Sequence, residues 1–97
     1  MTRYRIPLEA GRAYQSFTAN MDGRNITFRL HWQTLYGYFL VGIWEGETPI
    51  TLGRGLNPGI NLLAGLNETL GSITLEGRRP TVANLGIENR LIWDDGQ

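Results

Sequence analysis

Residues 17–32 read Phe17-Thr18-Ala19-Asn20-Met21-Asp22-Gly23-Arg24-Asn25-Ile26-Thr27-Phe28-Arg29-Leu30-His31-Trp32, and this stretch decides the fold class. Asp22-Gly23 suits a two-residue type I′ turn, whose central residues need positive φ and whose twist matches that of the flanking strands. After the turn, Ile26, Phe28, Leu30 and Trp32 alternate with Thr27, Arg29 and His31. A period of two sends the first set to a core and the second to solvent or a partner. Before the turn, Phe17, Ala19 and Met21 offer a matching face. The block is a β-hairpin with a one-sided core, and it holds no recognisable catalytic group.

Turn residues punctuate short apolar runs along the rest of the chain, at the ~8–12-residue rhythm of an antiparallel sandwich or barrel. Strands are predicted at Arg3–Leu8, Tyr14–Met21, Asn25–Trp32, Tyr38–Trp44, Ile50–Leu56, Gly71–Glu76 and Asn89–Trp93. The fourth is apolar on both faces, so it is expected to be central, with core on one side and another segment or subunit on the other. Asn57-Pro58-Gly59 marks a sharp turn, and Asn61-Leu62-Leu63-Ala64-Gly65 reads as a single helical turn ended by glycine. Thr81 is a candidate cap for a brief turn running to Leu85. Pro7 cannot donate to a ladder, so the first strand belongs at a sheet edge or reaches out to another chain.

With 97 residues and no internal repeat, the chain is expected to form one domain over 1–97. A domain of this size buries only ~60–65% of the surface its unfolded chain exposes. Cysteine is absent, which removes disulfides and thiolate metal sites. Residues 1–7 lack the apolar run of a signal peptide, and no segment approaches the ~20 apolar residues of a membrane span. The expectation is a protein made in the cytoplasm, with no membrane partner. Nine basic residues, all Arg, balance nine acidic ones to a net charge of zero. That balance argues against binding to a nucleic-acid backbone.

The single His31 sits on the polar face of its strand without a spaced Ser, Asp or Glu to complete a triad, and one His without Cys or clustered carboxylates makes no ordinary zinc site. Glu45-Gly46-Glu47 and Asp94-Asp95 are paired acids beside turn glycines, where solvated charge is the ordinary reading. Gly53-Arg54-Gly55 is too short for a phosphate loop and reads as strand glycines permitting a bulge. Asn25-Ile26-Thr27 and Asn67-Glu68-Thr69 match a glycosylation pattern that has no meaning without secretion. No cofactor, metal site or enzymatic activity is expected. Two binding readings remain: Trp32, Trp44, Trp93, Tyr36 and Tyr38 as a sugar-stacking platform of a small carbohydrate- or ligand-binding module, or contacts to protein partners. For the latter, the candidates are the edge tract Tyr4, Ile6, Pro7 and Leu8 and the loop cations Arg54, Arg78 and Arg79.

Tyr4-Arg5-Ile6-Pro7-Leu8, Gln15-Ser16-Phe17, Phe28-Arg29-Leu30 with Trp32, the run from Gly55 to Gly65, and Leu85-Gly86 followed by Arg90-Leu91-Ile92-Trp93 occur in order along nearly the whole chain. Together they resemble the small baseplate plug proteins of contractile-tailed bacteriophages, of the kind present in a cyanophage myovirus baseplate. Trp93 and the acidic tail depart from the Tyr and the longer end that the resemblance leads one to expect. The resemblance implies an all-β structural protein of the virion, in the central baseplate near tail tube, hub and spike. It also implies copies of the chain arranged in a symmetric assembly.

Overall fold

A computed structural model describes residues 3–21, 23–65 and 70–95 of the chain. Seven strands follow one another: β1 (Arg3–Ile6), β2 (Tyr14–Met21), β3 (Arg24–Gln33), β4 (Tyr38–Glu45), β5 (Thr48–Gly55), β6 (Ser72–Gly77) and β7 (Asn89–Asp94). They form two antiparallel sheets, a three-stranded one in the order β1-β7-β6 and a four-stranded meander β2-β3-β4-β5. The arrangement is sandwich-like, and no helix occurs among the described residues.

The period of two builds the core. Ile26, Phe28 and Leu30 of β3 and Phe39, Val41 and Ile43 of β4 are buried on one face of the meander, opposite Ile73 and Leu75 of β6 and Leu91 and Trp93 of β7. Phe17 and Trp32 pack on this cluster from its margin and are only partly buried, Phe17 stacked on Phe28 and Trp32 edge-on to Phe39. In the β2–β3 turn Gly23 has φ of +77° and its N–H donates to Asn20 Oδ1; Asp22 lies outside the described residues. Arg24, at the start of β3, forks onto Glu45 at the end of β4, with Nε and Nη2 at 3.0 and 2.6 Å from its carboxylate oxygens. These hydrogen bonds, with the Arg24 charge behind them, hold the Glu45 carboxyl below the ordinary carboxylate range against a smaller opposing effect of burial.

The segment 56–65 corrects one expectation. Asn61–Gly65 is a turn closed by Ala64 N–H onto the Asn61 carbonyl and not a helical turn. Asn61 is committed elsewhere: it bridges Thr74, and its Oδ1 accepts from both Leu63 N–H and Ile73 N–H while Leu62 N–H donates to the Ile73 carbonyl. With Pro58 bridging Leu75, the segment lies along the outer edge of β6, and Leu62 and Leu63 fill the core beneath it. A helix would withdraw those backbone groups from β6.

The fourth strand is apolar on both faces, and on the outer one Gly42 is covered from within the chain while Tyr38, Leu40 and Trp44 stay half-buried. Trp44 folds back across Gly42, and the Arg29 guanidinium sits 4.6 Å above the indole. At the other sheet, Gly77 ends β6 with φ of +109°, where a β-carbon would stand 2.4 Å from the Glu88 carbonyl oxygen. Only glycine permits that approach.

Candidate partner interface

Tyr4–Leu8 is anchored from inside and open outside. Among the described residues β1 pairs only with β7, Tyr4 opposite Trp93 and Ile6 opposite Leu91. The Tyr4 ring stacks on Trp93 at 4.7 Å between centroids and remains 45% exposed. Arg5 reaches the Gly86 carbonyl, and the Leu8 carbonyl lies so close to Gly86 that a β-carbon there would meet it at 2.7 Å. Pro7 is exposed and Leu8 half-buried. Ile6 departs from the expected contact set: its side chain is buried in the core, because it shares a face with Leu91 and Trp93, so only its backbone stands at the edge.

β1 and β2 are the free edges of different sheets, and grooves run between them. One, of about 360 Å³, is lined by Tyr4, Ile6, Pro7, Ala19, Met21 and Trp93 among others; a second, of about 240 Å³, continues past Pro7 along Gln15, Phe17 and Ala19. Gln15 fixes the link between the edges. Its buried amide donates to the Glu9 carbonyl and accepts from Glu9 N–H, which pins Glu9 beside the start of β2.

The three loop cations differ in their settings. Arg54 is a brace: Nη2 donates to the Ala64 carbonyl at 2.9 Å and Nε to Thr51 Oγ1. Arg78 and Arg79 lie on the β6–β7 connection, which two asparagines organise. Asn89, buried, donates to the Arg78 carbonyl and to Asn84 Oδ1 and accepts from Gly86 N–H; Asn84 donates to the Arg79 carbonyl and exchanges cap bonds with Thr81. The expected cap at Thr81 is therefore present, accepting from Asn84 N–H. Both guanidiniums point away from this framework, Arg78 paired loosely with Glu88 at 3.5 Å and Arg79 at 3.5 Å from the Gly37 carbonyl. An exposed pair of that kind adds little to stability. Beside Gly37, the β3–β4 turn exposes Leu35 and Tyr36, and Ile87 is exposed on the Arg78 loop.

The five aromatics do not share one platform, although Tyr36 and Tyr38 lie with ring centroids 6.2 Å apart. Trp93 is buried with its Nε1–H donating to the Leu70 carbonyl at 2.7 Å, Trp32 faces the core, and Trp44 covers the opposite face of the meander. His31 is exposed and meets the Tyr14 ring edge-on. Among the described residues no cluster of three His, Asp or Glu side chains is placed to hold a metal. Asn67-Glu68-Thr69 lies outside the described residues, as do Gly96 and Gln97 of the acidic tail.

The molecule is a β-sandwich whose β1 and β2 edges border grooves lined largely by apolar side chains. The sequence profile of the family described as cyanophage baseplate Pam3 plug gp18 matches residues 3–96, and the chain belongs to that family of structural baseplate proteins. Comparison with curated proteins finds no match to the chain.

Gln15, Asn84 and Asn89 are the positioning residues that sequence reasoning passed over. Gln15 stood inside a quoted family stretch, which was the available signal. For the two asparagines the signal was weaker, an Asn just inside a strand and another three residues after a candidate cap.

Proposed function

We propose that this chain, a single domain over 1–97, is a non-catalytic structural subunit at the centre of a phage tail baseplate. In this reading it is made in the host cytoplasm and contacts tail tube, hub and spike in a symmetric arrangement that includes further copies of itself. The observation that carries the reading is β1, a strand paired with β7 on one side, open on the other and closed by exposed Pro7. Tyr4, Pro7 and Leu8 supply side chains at that edge, and Ile6 its backbone. Arg78 and Arg79 reach carboxylates and carbonyls of neighbours, a role arginine keeps when desolvated. Arg54 contributes by holding the segment around Ala64 in place.

The test is complementation of a phage lacking this gene, with intact contractile tails scored by electron microscopy. The Tyr4→Ser variant, which leaves Ile6 in the core, and the Arg78→Ala, Arg79→Ala double variant are each expected to reduce assembled tails sharply while the isolated protein stays folded. Full infectivity from both would remove these contacts from the proposal. Normal tails without the gene would overturn the baseplate reading itself.

A further inference from the structure

Among the described residues four strand edges bound the two sheets. β6 is covered by Pro58 and Asn61, β5 carries Pro49, Gly53 and register shifts against β4, and β1, although open, offers only four residues before Pro7. β2 has none of these devices. Its eight residues pair with β3 in unbroken register from Tyr14 to Met21, and they include no charge, proline or glycine. A long, flat, uncharged edge is what folded proteins ordinarily avoid leaving open, because it templates pairing with another chain.

The size of this edge decides what occupies it. Eight residues at ~3.4 Å each, over a sheet depth of about 10 Å, give roughly 270 Å² per partner. Two copies paired edge to edge would therefore bury about 540 Å², short of the ~1,000 Å² of a specific interface. An extended segment gains more, because it also fills the grooves beside β2, where Phe17, Ala19, Met21 and Ile6 supply apolar walls. β2 itself presents no charge to a neighbour, and of the charges at the groove rims Glu9 is paired with Arg12 at 3.0 Å while Arg5 donates to the neutral Gly86 carbonyl.

We propose that β2 accepts, as a fifth strand of its sheet, an uncharged extended segment of another baseplate polypeptide whose alternate apolar side chains enter the grooves between β1 and β2. This rests on the baseplate reading and adds to it an acceptor strand and the chemistry of the donor. The donor's remaining side chains lie beside Ser16, Thr18 and Asn20, where small polar residues match best.

The test compares isolated protein with purified tails by hydrogen exchange, using wild type and the Ser16→Lys and Thr18→Lys variants, each first checked for folding by thermal unfolding. A lysine on the edge opposes strand addition and leaves β2–β3 pairing in place. Expected are a monomer in isolation, β2 amides exchanging about tenfold or more slower in tails, and about tenfold fewer copies of either variant per tail. A photo-crosslinking residue at position 16 is expected to capture a segment of a different baseplate chain. Equal β2 exchange in both states, or wild-type incorporation of both lysine variants, overturns the proposal while the baseplate reading stands. Crosslinks confined to a second copy of this chain also overturn it. Absence of the protein from purified tails overturns both.

Discussion

The indole of Trp44 lies over Gly42, with Cζ3 2.5 Å from where a β-carbon on that glycine would stand, and the Arg29 guanidinium rests over the ring at 4.6 Å from its centroid. Gly42→Ala is expected to push the ring out and break the Arg29 contact. In wild type, Arg29→Ala should cost ~0.5–1 kcal/mol, the worth of an exposed cation–π contact. In the Gly42→Ala background it should cost almost nothing. A double-mutant cycle by urea unfolding measures the coupling, and equal costs in both backgrounds would contradict the packing described.

Phe28 is fully buried at the centre of β3, stacked on Phe17 and paired with Ile43 of β4. Phe28→Ala is expected to cost about 3–5 kcal/mol, the transfer loss plus the cavity left behind. In a domain of this size that approaches the whole stability. The check is equilibrium unfolding, with Phe28→Leu as the variant that should stay folded.

Trp93, on the middle strand of the three-stranded sheet, donates its indole N–H to the carbonyl of Leu70, just ahead of β6. In Trp93→Phe the Leu70 carbonyl loses its donor in a buried setting, at a cost of about 1–3 kcal/mol. Tyr4 would keep an aromatic neighbour, so β1 should remain paired. Amide exchange on β1 and β7 separates the two effects: loss of protection on β1 would mean that the stacked rings and not the backbone ladder hold that strand.

The Arg24 fork gives a pH dependence with a definite sign. Because Glu45 titrates below the ordinary carboxylate range when folded, its contribution is complete above that range and disappears as pH falls through the lower, folded value. Stability against urea is therefore expected to fall more steeply in acid for wild type than for Glu45→Gln. The two curves should converge at the acid end and separate towards neutrality. Parallel curves would mean that the fork does not stabilise the fold.

The seven strands were legible because a period of two leaves its mark on residues such as Ile26, Phe28 and Leu30, and because glycine and proline mark where strands stop. The partition into two sheets was not, since nothing local to Tyr4 says that its neighbour is Trp93. The mistaken helical turn at Asn61 has the same origin: the local pattern is helical, and its competitor is a set of bonds to Ile73. Of the candidate contacts, Pro7 announced an edge through its missing N–H, whereas Arg54 looked free until its acceptor at Ala64 came into view. Gln15 and Asn89 were silent because a buried amide and an exposed one are written with the same letter.

The pairing of Arg3 with Asp94 has a consequence for how the protein is made. The meander β2-β3-β4-β5 joins neighbours along the chain and can form while synthesis continues, whereas β1 must wait for β7 to leave the ribosome. A chain interrupted before Asn89 leaves its N-terminal strand without a template and the core of the meander without Leu91 and Trp93. Ordering of Tyr4–Leu8 is thus expected only after β7 has been made.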